Sequence, residues 1–378
     1  MAQIVSVAVC VARVPLERPT SFSTRTVLAR DYCLVKITSS DGVEGIGFSY
    51  AGSTAGNIAR VAVEELLAPM LIGRESTRVE GLWEEMYEGA ILQGRSGSVM
   101  RALSSLDIAL WDLNARAAGL PLYRYLGSWA LDRVPAYASG GYYLEGRTAD
   151  ELGEELAGYV EQGFKAVKMK VGRVGLAEEA NRVNTARKAI GPDILLMLDA
   201  NNAWQDLPTA LSYCERFAEA DPYWIEEPFS PDEIDNHARL AEKIGFSVAT
   251  GEIEAGRWRF KEILEKRAAA ILQADAAVCG GITEWCRIAH TASSYGVPMA
   301  PHWFDSVHVH LVAATRNATY VEFFPGQAIF NFRRLIDRQP EMKHGDLLLS
   351  QEAGLGFAFD EEAVHKFGLG AWRTIHDA

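Results

Sequence analysis

Positive charge is in short supply in this chain: 37 Lys and Arg stand against 50 Asp and Glu, a formal net charge of −13. The basic residues form no stripe, which excludes nucleic acid as an expected partner. Long apolar runs are missing too, so no segment reads as a membrane span. The opening MAQIVSVAVCVARVP has no basic leader, and Arg13 and Pro15 interrupt it, so it reads as a strand rather than a signal peptide. The five cysteines (Cys10, Cys33, Cys214, Cys279, Cys286) are odd in number and lack CxxC spacing, the pattern of reduced thiols in the cytoplasm. Gly45 and Gly47 stand in GIGFSYAG, but no helix-opening third glycine follows, so a dinucleotide site is not supported.

What is plentiful is apolar. Hydrophobic residues make up 48% of 378, enough for a large core, and the length suits a barrel plus about one more unit. Eight short apolar runs have strand character: VPAYAS (134–139), KAVKMK (165–170), ILLMLD (194–199), YWIE (223–226), SVATGE (247–252), AAILQAD (269–275), VPMAPH (297–302) and ATYVE (318–322). Helical stretches fall between them near 149–162, 177–190, 207–219, 231–244, 256–266, 282–295 and 305–314. That alternation predicts a TIM-type α/β barrel, whose chemistry sits at the C-terminal strand ends. Residues 1–125 break the period. DYCLVKIT and VEGIGFSY flank Ser40-Asp41-Gly42 as a hairpin, and helical stretches follow near 57–72, 77–89 and 98–118. The expected organisation is an α+β capping domain (1–125), a (β/α)7β barrel (126–325), and a C-terminal segment (326–378) packing back on the cap.

Charged residues mark the barrel mouth. Asp199, Glu226 and Glu252 close three successive runs, 27 and 26 residues apart. Buried parallel strands should be uncharged throughout, so three carboxylates at the same point of the repeat need a neutralising partner, a divalent cation held by hard oxygen ligands. Each acid taken alone would more simply cap the next helix. Lys168 and Lys170 are two apart on one strand and point to the same side, into the mouth. Burial and mutual crowding would lower their pKa, so that a lysine of the pair could act as a base. Asp275 and His302 end neighbouring strands and form a candidate acid/base dyad. Glu322, if protonated, would donate a hydrogen bond to a developing oxyanion. Gly280-Gly281 reads as a tight strand-to-helix turn. His308 and His310 are two apart in a helix and point in different directions.

Taken in order, KMK (168–170), LDAN (198–201), IEEP (225–228), TGE (250–252), the Asp275 strand, PH (301–302) and VEF (321–323) resemble the enolase superfamily, mandelate racemase subgroup. The likeness spans about 130–325, and the N-terminal unit is similar to that family's capping domain. It implies Mg²⁺ on Asp199, Glu226 and Glu252, with Lys170 as one base and Lys168 as its cationic neighbour. It also implies the Asp275–His302 pair as the opposite acid/base and Glu322 as electrophile. Asp275 is followed by Ala276, Ala277 and Val278, where the muconate-cycloisomerase subgroup has a lysine, so that subgroup is disfavoured.

The expected reaction is abstraction of the proton α to a carboxylate. The segment ERPTSFSTRT (17–26) reads as a lid rich in Arg, Ser and Thr, suited to a polyhydroxylated acid. The preferred reading is therefore a lyase, an acid-sugar dehydratase acting on a small-molecule carboxylate. A racemase or epimerase is the alternative, and a non-catalytic binder of metal or sugar acid the more distant one. Lys168, Asn201, Arg25 and Glu322 are expected to contact substrate, with Arg95, Tyr142 and Tyr143 also within reach. The chain is expected to form a homo-oligomer.

Overall fold

The computed structural model describes residues 2–326 and 328–376. The N-terminal unit opens with an antiparallel meander of β1 (Ile4–Ser21), β2 (Thr26–Ser39) and β3 (Glu44–Tyr50). The expected turn joins the last two, with Gly42 at φ 82° and Ser39 N donating to Val43 O at 3.0 Å. Helices α1 (Asn57–Val61), α2 (Val79–Gly89), α3 (Gly97–Ala117) and α4 (Leu122–Tyr125) follow. Gly45 and Gly47 explain how α3 lies on β3. A Cβ on Gly45 would stand 2.3 Å from Ala109 O, and one on Gly47 only 1.9 Å from Ser105 O. These glycines serve helix-on-sheet packing.

The barrel alternates as its sequence predicts: β4 (Arg133–Ser139), α5 (Ala149–Glu161), β5 (Ala166–Lys170), α6 (Leu176–Ile190), β6 (Leu195–Asp199), α7 (Leu207–Phe217), β7 (Pro222–Glu226), α8 (Ile234–Ala241), β8 (Ser247–Thr250), α9 (Arg257–Glu265) and β9 (Ile271–Leu272). After β9 come α10 (Ala276–Cys279), α11 (Gly281–Ser294), α12 (Asp305–Ala314) and β10 (Val321–Phe323). β4 to β9 pair in parallel, and β10 returns to β4 through Val321↔Ala136.

The run 297–302 is not a continuous strand. It contributes single bridges, Leu272↔Met299 and Met299↔Ala318. Pro298 and Pro301 flank that point and have no N–H to give a ladder, although Pro298 O accepts from Leu272 N at 3.0 Å. Gly280 and Gly281 (φ 125° and 89°) separate α10 from α11, so they join two helices rather than a strand to a helix.

Side chains divide by strand alternation. Val167, Met169, Leu196, Leu198 and Ile225 belong to the layer under the helices, whereas Ala166, Met197, Trp224 and Ala249 fill the barrel interior. Lys168, Lys170, Asp199 and Glu226 stand in register with the interior set.

The tail divides, where the sequence reading sends all of it back to the cap. The strands β11 (Met342–Lys343) and β12 (Asp346–Leu348) form a hairpin, and β12 pairs antiparallel with β4 through Leu347↔Val134. The start of β4 projects beyond the parallel ladder, and its free backbone groups need partners. Only then do α13 (Glu361–Phe367) and β13 (Arg373–His376) reach the capping sheet, β13 pairing with β1 through Val7↔Ile375. Among the described residues no helix is long and apolar enough to cross a membrane.

Candidate active site

β6 and β7 end on Asp199 and Glu226, and Glu252 lies two residues past β8. One oxygen from each falls within 4.8 Å of the others. Asp199 and Glu226 are buried completely. Two buried carboxylates and a partly exposed third, with no sulfur or imidazole among them, make a donor set that fits a hard divalent cation. Burial, with Asp199 next in effect, pushes the Glu226 carboxyl up to about 8. Burial and then Glu252 push Glu227 well above the usual range. The acids crowd one another.

Lysines answer part of that charge. Lys168 Nζ lies 2.7 Å from Glu226 Oε1 and 2.9 Å from Glu322 Oε1, and Lys170 Nζ bonds Asp199. Burial works against both charges, but Glu226 and Glu322 raise Lys168, and Asp199 raises Lys170. The expectation of lowered lysine pKa values is thus reversed here: carboxylates outnumber the second lysine as neighbours. Asp199 is held below its usual range by Lys170 and Lys168 against the effect of burial. Glu322 likewise drops to about 2 despite burial, through Lys168 and then His302. It is an acceptor here rather than the expected protonated donor, taking Trp303 N at 2.8 Å.

His302 Nδ1 stands 3.1 Å from Asp275 Oδ2, and its Nε2 is 3.5 Å from Glu252 Oε2. Burial opposes protonation, yet Glu252 and the Asp275 hydrogen bond lift His302 to about 9. Asp275 also caps α10, accepting from Ala277 N at 2.8 Å, so one acid both aims the imidazole and starts a helix. His308 Nε2 accepts from Ala276 N, whereas His310 bonds Tyr123 N and Leu355 O, so the two do diverge.

Lys170, Asn201, Glu252 and His302 line one cavity of about 290 Å³, which the capping unit roofs with Phe22 and Arg25. The segment 17–26 forms the end of the β1–β2 ribbon. Its Ser23 Oγ donates to Ala200 O at 2.5 Å and Thr24 Oγ1 to Asn201 O at 3.3 Å, which fixes it over the strand ends. Asn201 N donates to Asp199 Oδ1 at 2.9 Å, and its own Oδ1 is buried without a partner.

Four expected contacts are absent from the lining, and two of them, Lys168 and Glu322, are fully buried and paired with each other. Arg95 is exposed and outside the lining, and Tyr143 turns away to Glu179 Oε2 at 2.6 Å, leaving Tyr142 alone in the cavity wall. Sequence reasoning missed Glu227, Arg30, Arg101 and Trp303, all of which line it. Arg30 carried a legible signal, a charge inside the apolar strand β2, the same signal that singled out Lys168.

Comparison with known proteins gives two family matches. Residues 4–127 match the mandelate racemase / muconate lactonizing enzyme N-terminal domain, and residues 151–363 the enolase C-terminal domain-like family. An arabinonate dehydratase of Saccharolobus solfataricus is 32% identical over 339 residues, covering 88% of this chain and 89% of that one. An L-talarate/galactarate dehydratase of Salmonella typhimurium is 33% identical over 330 residues, 87% of this chain and 81% of that one. Among solved structures, L-talarate dehydratase from Polaromonas sp. JS666, complexed with Mg and L-glucarate, superposes with a TM-score of 0.91 at 31% identity over 100% of both chains.

Proposed function

The chain belongs to the mandelate racemase / muconate lactonizing enzyme family of the enolase superfamily, and from that premise we propose that it is an acid-sugar dehydratase. It removes the proton α to the carboxylate of an aldonate or aldarate and expels the β-hydroxyl to give a 2-keto-3-deoxy acid. One observation carries the reading: Lys170 and the Asp275-supported His302 line one cavity with Glu252, whose carboxylate oxygen lies within 4.8 Å of those of Asp199 and Glu226, a cluster suited to a divalent cation.

Asp199, Glu226 and Glu252 would hold Mg²⁺. When bound, Mg²⁺ supplies the positive charge that makes an α-proton next to a carboxylate acidic enough to remove. The remaining chemistry belongs to the chain. Lys170 is the base; it keeps its proton only while Asp199 is free to pair with it, and loses that support once Asp199 is engaged elsewhere. Lys168, fixed between Glu226 and Glu322, stays cationic and faces the charge that develops on the substrate. His302, held by Asp275 at 3.1 Å, is the acid that meets the departing hydroxyl. Glu322 becomes a donor only after the incoming negative charge raises its pKa. The five cysteines are all unpaired, which supports a reducing compartment, the cytoplasm. Association with further copies of the chain is proposed on Ile91 and Leu92, which are 50% and 93% exposed on one turn, and light scattering checks it.

The same opposed pair suits inversion at the α-carbon, so product analysis is the test. Wild type in D₂O with a library of acid sugars should form 2-keto acids. His302→Asn should lose that activity by on the order of 10²–10⁴-fold yet still exchange the α-proton, and Lys170→Ala should lose both. Exchange or inversion by the wild type without keto acid would replace dehydration by epimerisation.

A further inference from the structure

The barrel and the cap contribute different charges to the cavity wall. At the barrel end the carboxylates gather. At the cap end three guanidiniums line the same space: Arg25 from the ribbon tip, Arg30 from β2 and Arg101 from α3. Among the described residues, none of the three has a carboxylate oxygen within 4.0 Å. Arg30 is buried, Arg101 partly so and Arg25 exposed, and the lack of an acid partner sets Arg30 apart from the buried Arg182 with Glu179 and Arg333 with Asp305.

Arg30 is the most telling. It is 3% exposed, lies over the Trp303 ring at 4.6 Å, and has one hydrogen bond, from Nη1 to Ile329 O at 2.5 Å. Arg101 is alike: Nη1 donates to Tyr50 O at 2.5 Å and the guanidinium sits 5.8 Å from the Tyr50 ring. Burial lowers its pKa, with only Asp275, Tyr50 and Glu252 acting against that. A guanidinium has five N–H donors. A carbonyl and a ring face use one donor and part of the charge; anchoring Ile329 would account for that donor and leave the others facing the cavity. Buried cations without a counter-ion are costly, and such a site is completed by an anion of matching fork geometry, a carboxylate.

Resting on the dehydratase reading, we infer that the cap end is a subsite for a second carboxylate, and that the substrate is an aldarate rather than an aldonate. Its reacting carboxylate lies at the barrel end, and its far carboxylate is held by Arg30 and Arg101, with Arg25 closing over it. An aldonate presents a neutral hydroxyl there and leaves the guanidiniums unmatched, which is the kind of mismatch that sites reject most strongly.

The test uses aldarates and aldonates of six carbons with matched stereochemistry, read both by keto-acid formation and by calorimetric binding to the Mg²⁺-loaded enzyme. The diacid should be preferred at least about 100-fold in kcat/KM and bind at least about 10-fold more tightly. Arg30→Met and Arg101→Met should each cut that preference by about 10-fold or more, chiefly through KM for the diacid, and Arg30→Lys should cut it less. Should Arg30→Met fail to fold, Arg101→Met decides alone. Equal turnover and equal binding of the two acids would overturn the subsite, as would variants that weaken both acids alike. Selective diacid binding without any keto acid would instead overturn the dehydratase reading and leave the subsite standing.

Discussion

Two sets of buried acids in this molecule look alike one residue at a time and behave as opposites. At the barrel mouth Asp199, Glu226, Glu227 and Glu252 face one another. On α3, Asp107 and Asp112 stand apart, each with its own donors. Asp107 accepts from Thr283 N at 2.9 Å and Thr283 Oγ1 at 2.6 Å, tying the cap to α11. Asp112 accepts from Ile46 N at 2.8 Å, Leu355 N at 2.7 Å and Arg116 Nε at 2.7 Å, tying helix, sheet and tail together. The difference lies in what the acid faces. An acid set apart among its own donors is structural, whereas acids converging on one another make a donor set for a cation.

Four measurements would break or sharpen that contrast. The largest effect belongs to the mouth: Asp199→Ala should lose kcat/KM by on the order of 10³-fold or more, and EDTA should do the same to the wild type until Mg²⁺ is restored. Full activity in metal-free enzyme would end the comparison. Asp112→Ala should reverse the pattern, costing about 3 kcal/mol of stability in denaturant melts while the folded fraction keeps its kcat.

Third, pH should expose Asp107, whose carboxyl burial raises to about 7 against the hydrogen bonds from Thr283. A raised acid favours the protonated folded state, so its contribution is complete below the unfolded value near 4 and is lost as pH climbs to about 7. The stability of wild type relative to Asp107→Asn should therefore fall by up to about 1.4 kcal/mol per pH unit across that window and level off above it. A flat difference would mean that Asp107 is ionised. The smallest effect is Glu227→Gln in metal-free protein. Its Oε2 is buried with no partner, so the change should shift stability by less than about 1 kcal/mol. A large loss there would place Glu227 with the α3 acids.

The barrel helices were legible to within a few residues because apolar periodicity is a local property. Strand ends were legible through charges where none should be, as at Lys170 and Asp199. What escaped depended on proline chemistry or on distant docking. Pro298 and Pro301 reduced an expected strand to a bridge at Met299. Arg101 looks like any polar position of an amphipathic helix until α3 is laid across the mouth, and Tyr143 faces Glu179 for reasons that local sequence does not contain. The α3 acids were passed over for the same cause, since Thr283 is remote in sequence and meets Asp107 only after the cap has docked.

The pairing of β13 with β1 has a consequence for the order of assembly. Ser6 has His376 as its strand partner, nearly the whole chain away, while β4 to β9 of the barrel pair with their neighbours in sequence. Closing so long a loop is slow, and local contacts come first. The capping sheet is therefore expected to acquire its last strand later than the β4 to β9 ladder forms. β1 also runs on into the ribbon that carries Arg25, so the sheet that the tail completes is the sheet that roofs the cavity.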